Sequence, residues 1–187
     1  MRILRKKRVL LLMFVSFVLV LFLNTNWMAW FYPIHYKEEI RAQSQSYEVD
    51  PFLIASIIKV ETNFKTSKES KRGAIGLMQL MPDTANWILE QAKIPDTSLE
   101  ELKHEPERNI QLGTWYLRNL SDQFDGNEAV MIAAYNAGPG KVNSWLRDGV
   151  WDGSFDTVKD IPFGETRHYV QRVIYYYNQY VKIYNTF

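Results

Sequence analysis

The sequence DPFLIASIIKVETNF, residues 50–64, predicts a helix with an acidic residue on its apolar face. Asp50 can cap the first turn, and Pro51 suits the first helical position. The apolar face consists of isoleucines at helical spacing: Ile54, Ile57 and Ile58. Glu61 follows on the same face, so helical geometry directs its carboxylate toward apolar surroundings.

Periodicity alone allows two interpretations of Glu61. If the side chain is buried, desolvation and the negative end of the helix raise its pKa, and it can act as a general acid near neutral pH. If it lies at the edge of the apolar face, it reaches solvent or pairs with a lysine such as Lys65. The helical pattern does not decide between them.

The rest of the chain also has helical periodicity and contains no internal repeat. Further helices are predicted to begin at Pro82, after Pro106, at Asn127 and at about Thr166. Ser98 and Glu101 have the spacing of a capping box. The Gly138-Pro139-Gly140 sequence cannot continue a helix, and residues 148–162 are expected to be irregular, with short strands left open. The predicted fold class is therefore mainly α.

Residues 1–32 are typical of a segment that enters a membrane. They open with a cluster of cations: Arg2, Arg5, Lys6, Lys7 and Arg8. From Val9 to Leu23 only Ser16 is not apolar. No small-residue cleavage pattern follows, which favours a retained signal-anchor helix over a cleaved signal peptide. This apolar run extends only about 22 Å as a helix, so a membrane span must also recruit Asn24 to Phe31 or thin the bilayer.

The basic start predicts that the N-terminus stays inside the cell and that residues after about 33 lie outside. We therefore expect a single-pass protein of the cell membrane with an extracytoplasmic domain. Secretion after signal cleavage is the alternative. The expected organisation is a signal-anchor segment with a cytoplasmic basic start at 1–32, a short linker or helix at 33–44, and one folded domain at 45–187.

Composition excludes several kinds of site. The chain has no cysteine, so disulfides, thiolate metal sites and cysteine nucleophiles are absent. Without the cations of the first segment the net charge falls from +1 to −4, which argues against nucleic-acid binding. His35, His104 and His168 lack metal-ligand spacing, and no phosphate-binding loop occurs. We expect no metal and no cofactor.

Four motifs follow one another along the chain. They are Glu61-Thr62-Asn63-Phe64, Gly73-Ala74-Ile75-Gly76-Leu77-Met78-Gln79-Leu80-Met81-Pro82, Ala134-Tyr135-Asn136-Ala137-Gly138 and Glu165-Thr166-Arg167-x-Tyr169. Together with Ser70, between the first two, they resemble the soluble lytic transglycosylase family, whose fold is similar to goose-type lysozyme. The resemblance covers roughly residues 45–180. It implies that the folded domain, which follows the predicted N-terminal membrane helix, is a lysozyme-like helical catalytic domain.

The resemblance implies an enzyme that cleaves the β-1,4 bond between N-acetylmuramic acid and N-acetylglucosamine in peptidoglycan. The muramic acid would end as a 1,6-anhydro sugar, and Glu61 would be the single acid and base. The implied substrate-binding residues are Ser70, Met78, Gln79, Met81, Tyr135, Asn136 and Glu165. Without the resemblance, Met78 and Met81 would be core residues by default.

The chain departs from the family pattern at two positions. The family usually has serine directly after the catalytic glutamate and often a proline a few residues later, where this chain has Thr62 and Thr66. Thr62 keeps a hydroxyl, so a local hydrogen bond can survive with a stiffer rotamer. The loop from Lys65 to Arg72 is lysine-rich, where the family pattern is less so.

Two other functions remain open: a lysozyme-type hydrolase of the same bond, and a non-catalytic protein that only binds peptidoglycan. A binding protein need not keep Glu61 together with Gln79 and Tyr135, which favours an enzyme. The expected partners are peptidoglycan glycan strands and, through the N-terminal helix, the membrane. The sequence indicates no nucleic-acid partner and leaves protein partners unknown.

Overall fold

The computed structural model describes residues 2–23, 25–94, 97–184 and 186–187. These residues form nine α-helices, which confirms the predicted helical class. They are α1 Arg2–Leu23, α2 Lys37–Tyr47, α3 Pro51–Thr62, α4 Pro82–Ala92, α5 Leu99–His104, α6 Pro106–Gln123, α7 Glu128–Ala137, α8 Pro139–Arg147 and α9 Gly164–Ile183. Short 3₁₀ helices cover Thr25–Trp30 and Val158–Asp160.

Helix α3 lies at the centre of the domain. The Asp50 carboxylate accepts a hydrogen bond of 2.7 Å from the Phe52 amide, so the predicted N-cap is confirmed. The three predicted isoleucines are fully buried and pack in one core with α2 and α9. Each such burial contributes about 1.5–3 kcal/mol. The helix ends at Thr62, since Asn63 adopts the left-handed conformation.

Helix α6 supports the loop between α3 and α4, residues 63–81. The Asn109 side chain of α6 is fully buried and accepts a hydrogen bond of 2.7 Å from the Met78 amide. Its amide nitrogen donates to the carbonyl oxygens of Ile75 and Leu102. Gly76 has φ +75°, and a Cβ there would lie 2.1 Å from the Asn109 amide nitrogen. The loop therefore needs glycine at this position to approach α6 closely.

Several predicted boundaries are confirmed, and others need correction. The capping box at Ser98 forms as predicted. The Gly138-Pro139-Gly140 sequence ends α7, but it also starts α8, a helix that we did not predict. Gly138 has φ 88°, which turns the chain, and Pro139 then occupies a first helical position that needs no amide hydrogen. Residues 148–162 are irregular apart from the 3₁₀ helix Val158–Asp160, and they contain no strand.

The N-terminal residues form α1, and its described apolar side chains from Val9 onward are largely exposed. Within the part of the chain that the structure describes, no helix combines the length and the apolar character that a membrane crossing requires. The predicted membrane span therefore stays a prediction. Helix α2 crosses the predicted boundary between linker and domain at residue 45.

Candidate active site

A cleft of about 430 Å³ opens where the end of α3, the loop 63–81, the end of α7 and the start of α9 meet. Its lining residues are Glu61, Ser70, Lys71, Arg72, Ala74, Gln79, Met81, Tyr135, Asn136 and Glu165. The fold thus brings together residues from all four sequence motifs. Every predicted site residue except Met78 lines this cleft.

Glu61 is half-buried in the last turn of α3. Burial raises its pKa from 4.5 to about 7, and the nearby charge of Glu165 adds to this rise. Interactions with Tyr169, Lys68 and Arg172 oppose it. Glu61 therefore exchanges its proton near neutral pH, as a group must if it is to donate and later accept a proton.

Two tyrosines flank this carboxyl. The pKa of Tyr135 and of Tyr169 is raised well above its usual value by burial and by the charge of Glu61, so both phenols keep their protons. The Tyr135 hydroxyl donates to the Met78 carbonyl at 2.9 Å. The buried Tyr169 hydroxyl interacts with Glu61 but meets no hydrogen-bond geometry within the described residues. The Tyr169 hydroxyl is therefore a hydrogen-bond donor beside the Glu61 carboxyl.

The backbone around Glu61 is fixed by cations. The Lys68 ammonium donates to the Glu61 carbonyl at 2.9 Å, and the Arg172 guanidinium donates to the Val60 carbonyl at 3.3 Å. Both groups satisfy carbonyls at the C-terminal end of α3, where positive charge is stabilising. They hold the last turn of α3 and lower the pKa of Glu61 at the same time.

Thr62 occupies the position at which the family usually has serine. Its hydroxyl is buried and donates to the Leu77 carbonyl at 2.8 Å and to the Ile58 carbonyl at 3.2 Å. The first bond joins α3 to the loop 63–81, which forms one wall of the cleft. A threonine hydroxyl therefore makes the local bonds expected of this position.

Ser70 and Gln79 shape that wall. The Ser70 hydroxyl accepts from the amides of Arg72 and Ala74, which closes a tight turn. Gln79 has φ 49°, and its amide nitrogen donates to the carbonyls of Gly76 and Lys68. Its side-chain oxygen has no partner in the described residues and is available to accept a hydrogen bond from a ligand.

The opposite wall comes from α7 and α9. The Asn136 side-chain oxygen accepts from the Thr166 hydroxyl at 2.8 Å, which leaves its NH₂ group for the cleft. The Glu165 carboxylate lies 3.6 Å from the Arg72 guanidinium, and both side chains are largely exposed. This ion pair joins the loop 63–81 to α9 at the rim.

Met78 is the one predicted site residue that does not line the cleft. Its side chain is fully buried and packs against Gly113 of α6, where a Cβ would lie 2.3 Å from the methionine sulfur. Only its backbone belongs to the site, through the bond from Tyr135. Met81 is 43% exposed and lines the cleft as predicted. This loop is neither a helix nor a strand, so sequence periodicity does not predict which of the two methionines is buried.

Several residues that contribute to the site were not predicted from the sequence. Lys71, Arg72 and Ala74 line the cleft, and Lys68 and Arg172 act on Glu61 from outside it. Lys71 and Arg72 belong to the lysine-rich loop, whose composition does not show that it faces the cleft. The described residues contain no group of three or more histidine, cysteine, aspartate or glutamate side chains arranged to hold a metal ion.

Comparisons with known proteins agree with this geometry. The family model of the transglycosylase SLT domain matches residues 38–154. The soluble lytic murein transglycosylase of Escherichia coli K12 is 36% identical over 148 residues, which are 78% of this chain and 23% of that protein.

Two solved structures match the fold and cover 81% of this chain. The 70 kDa soluble lytic transglycosylase of Escherichia coli superposes with a TM-score of 0.75 at 34% identity. An inactive mutant of lytic transglycosylase Slt from Pseudomonas aeruginosa superposes with a TM-score of 0.74 at 37% identity. This chain spans about a quarter of the length of these relatives, since it covers 25% of each solved chain. The chain has the mainly helical, lysozyme-like fold of these proteins and belongs to the transglycosylase SLT domain family.

Proposed function

We propose that this protein is a peptidoglycan lytic transglycosylase. It cleaves the β-1,4 bond between N-acetylmuramic acid and N-acetylglucosamine and leaves a 1,6-anhydro-muramic acid end. The observation that carries the proposal is the half-buried Glu61, whose pKa is about 7, at the centre of a cleft built from all four motifs. The family relatives are named as enzymes of this type.

In the first step the protonated Glu61 carboxyl donates its proton to the glycosidic oxygen as the bond to the anomeric carbon breaks. The N-acetylglucosamine leaves with a free hydroxyl. Positive charge develops at the anomeric carbon, and the acetamido group of the muramic acid stabilises it. Glu61 is left as a carboxylate in surroundings that disfavour its charge, which makes it a base.

In the second step this carboxylate takes the proton of the muramic acid 6-hydroxyl. The oxygen closes on the anomeric carbon and forms the 1,6-anhydro ring, so Glu61 regains its proton. The nucleophile belongs to the substrate, which gives it a large advantage in effective concentration over water. The remaining predicted site residues bind the glycan: Ser70, Gln79, Met81, Tyr135, Asn136 and Glu165.

The charges in the cleft favour a single acid. An ordinary glycosidase places two carboxylates on either side of the bond. Among the described residues that line the cleft, Glu165 is the other carboxylate, and it is largely exposed and paired with Arg72. A supporting role in substrate binding fits these surroundings better than that of a nucleophile.

A hydrolase of the same bond is the alternative, favoured by one observation. The charge of Glu165 acts on Glu61, so the two carboxyls are close enough to interact. In that case Glu165 would activate water as a second carboxylate. The identity of the new muramic acid end distinguishes the two reactions.

The test is a digest of purified peptidoglycan with the full chain, followed by mass spectrometry of the released fragments. We expect muramic acid ends lighter by one water than hydrolytic ends. Glu61→Gln should lower cleavage at least about 100-fold because the amide cannot transfer the proton. Glu165→Gln is the matched control and should retain anhydro products. Reducing ends alone would indicate the hydrolase, and no cleavage by the parental protein would reject the enzyme.

We also propose that α1 attaches the domain to the cell membrane, with the domain on the outer side. The exposed apolar side chains of this helix support the proposal, as do the cations at its start. Fractionation of cells that express the chain should place it with the membranes, and removal of residues 1–32 should release it. Recovery of a mature form that begins near residue 30 from the medium would instead indicate a cleaved signal.

A further inference from the structure

Exposed aromatic side chains lie where α1 joins the folded domain. We call them the aromatic strip, which consists of Trp30, Phe31, Phe155 and Tyr175. Trp30 and Phe31 are 88% and 70% exposed and lie at the end of, and just after, the 3₁₀ helix that follows α1. Tyr175 belongs to the exposed face of α9. Adjacent exposed apolar groups on a protein surface mark a contact with another protein or with a membrane.

Contacts on α9 make the aromatic strip continuous. The hydroxyl of Tyr32, which follows Phe31 directly, lies 2.8 Å from the Tyr175 hydroxyl and forms a hydrogen bond with it. Tyr175 and Phe155 line one groove of about 370 Å³. The exposed rings of the junction therefore lie next to those of the domain.

The junction between α1 and the domain is held against α9. The Tyr184 hydroxyl donates to the Tyr32 carbonyl at 2.9 Å. Ile34 is buried in the core of the domain, and the Lys37 ammonium lies over the Tyr184 ring, 4.5 Å from its centroid. The residues that follow α1 are thus packed on the domain, which keeps Trp30 and Phe31 close to Tyr175.

We infer that the aromatic strip lies among the lipid headgroups and holds α9 against the outer surface of the membrane. The inference rests on the proposed attachment through α1. A bilayer that takes up the exposed apolar side chains of α1 also meets Trp30 and Phe31, because they follow that helix directly. Since Tyr32 joins this junction to Tyr175, the same layer reaches α9. Tryptophan and tyrosine favour this layer because their rings are apolar and carry one polar group.

The rings, rather than charge, supply the attraction. Among the described residues that line the groove with Phe155 and Tyr175, one is a cation, Lys159, and one is an anion, Asp156. The two charges nearly cancel, so this face lacks the basic patch that binds anionic lipids. The contact should therefore form on vesicles of a zwitterionic lipid and tolerate high salt.

This orientation keeps the catalytic cleft close to the membrane. Glu165 at the rim of the cleft and Tyr175 in the aromatic strip belong to the same helix, α9. They lie about 15 Å apart along its axis. The aromatic strip thus directs the proposed enzyme to glycan strands near the membrane surface.

The test places one fluorescent probe on the full chain, which has no cysteine of its own. Asn178→Cys puts the probe in the groove beside Tyr175, and Glu90→Cys, at an exposed position of α4, is the matched control. The labelled chains are reconstituted into phosphatidylcholine vesicles with and without brominated acyl chains. We expect the brominated lipid to quench the probe at 178 and to leave the probe at 90 unchanged. The quenching should persist in about 1 M salt, where electrostatic attraction is screened beyond about 3 Å.

A second measurement separates docking of the strip from attachment through α1. Trp30→Ser combined with Phe155→Ser should remove most of the quenching at position 178, whereas flotation of the chain with the vesicles should be unchanged. Leu99→Ser is the control for the loss of an exposed apolar side chain, and melting temperatures check that each variant is folded.

The outcomes distinguish the two proposals. Equal quenching at positions 178 and 90, in a chain that floats with the vesicles, would overturn the docking of the strip and retain the attachment. Quenching that survives the double replacement would also overturn the docking. A parental chain that fails to float would refute both proposals. A probe at 178 that is shielded from aqueous iodide but not quenched by brominated lipid would indicate a protein partner and contradict the inference.

Discussion

Glu61→Gln is expected to stabilise the folded protein at alkaline pH while it abolishes cleavage. The pKa of Glu61 is about 7 in the folded chain, against an ordinary value of 4.5. Between these values the folded state holds a proton that the unfolded state has lost. Stability contributed by Glu61 is therefore complete below pH 4.5 and is lost as the pH rises to about 7.

The size of the effect follows from the two pKa values. They differ by about 2.5, which corresponds to about 3 kcal/mol in the free energy of unfolding. Above pH 7 the native protein bears this cost because the half-buried carboxylate is charged. Glutamine has nearly the same shape and no charge. The free energy of unfolding of the variant should therefore exceed that of the parental protein by up to about 3 kcal/mol at pH 8. At pH 4.5 the two values should differ little.

Urea unfolding of both proteins at pH 4.5 and pH 8, in the same detergent, measures this difference. The quantity compared is the change in unfolding free energy caused by the substitution at each pH. Glu165→Gln is the control, because its carboxylate lies in the same cleft but is 71% exposed. The change in unfolding free energy caused by Glu165→Gln should be nearly the same at pH 4.5 and pH 8.

A change in stability on Glu61→Gln that is the same at both pH values would contradict this prediction. That outcome would mean that the Glu61 carboxyl is not desolvated in the folded protein. It would also remove the main reason for regarding the group as a general acid at neutral pH. Loss of stability at pH 8 alone would be equally damaging, since it would require the charged form to be the favoured one.

Three further outcomes follow from the same contacts. Cleavage should decline as the pH rises through about 7, because Glu61 must begin protonated. Arg172→Met removes a charge that lowers the pKa of Glu61, so this decline should move to higher pH; an unchanged pH profile would contradict it. Gly76→Ala should cost at least about 2 kcal/mol in urea unfolding because its Cβ would meet Asn109. Gly73→Ala, with φ +83° and open space, should cost only about 1 kcal/mol, and equal costs would refute the argument.

Short-range sequence patterns were sufficient to predict many of the helices. The N-cap at Asp50 and the capping box at Ser98 depend on side chains within three residues of the backbone groups that they bind. Helical periodicity likewise placed the buried face of α3. These features are short in sequence, so one chain is enough to predict them.

Features that depend on distant residues were not predicted. Met78 is buried because α6 has a glycine, Gly113, at the point of contact. Helix α8 begins directly after Gly138 because a single left-handed turn lets Pro139 start a new helix. A breaker sequence ends one helix, but it does not reveal whether another begins. The answer depends on the packing of α8 against α7.

The proton affinity of Glu61 is the clearest case of a property that the sequence does not contain. Burial raises the pKa of this carboxyl, and in the proposed mechanism a group that held its proton too tightly could not act as the base of the second step. Lys68 and Arg172 lower the pKa of Glu61. Lys68 lies 7 residues after Glu61 in the sequence, and Arg172 lies 112 residues after Val60. Neither has a helical or motif relation to Glu61. In the proposed mechanism, Glu61 can serve as acid and then as base because the fold places these cations against the last turn of α3.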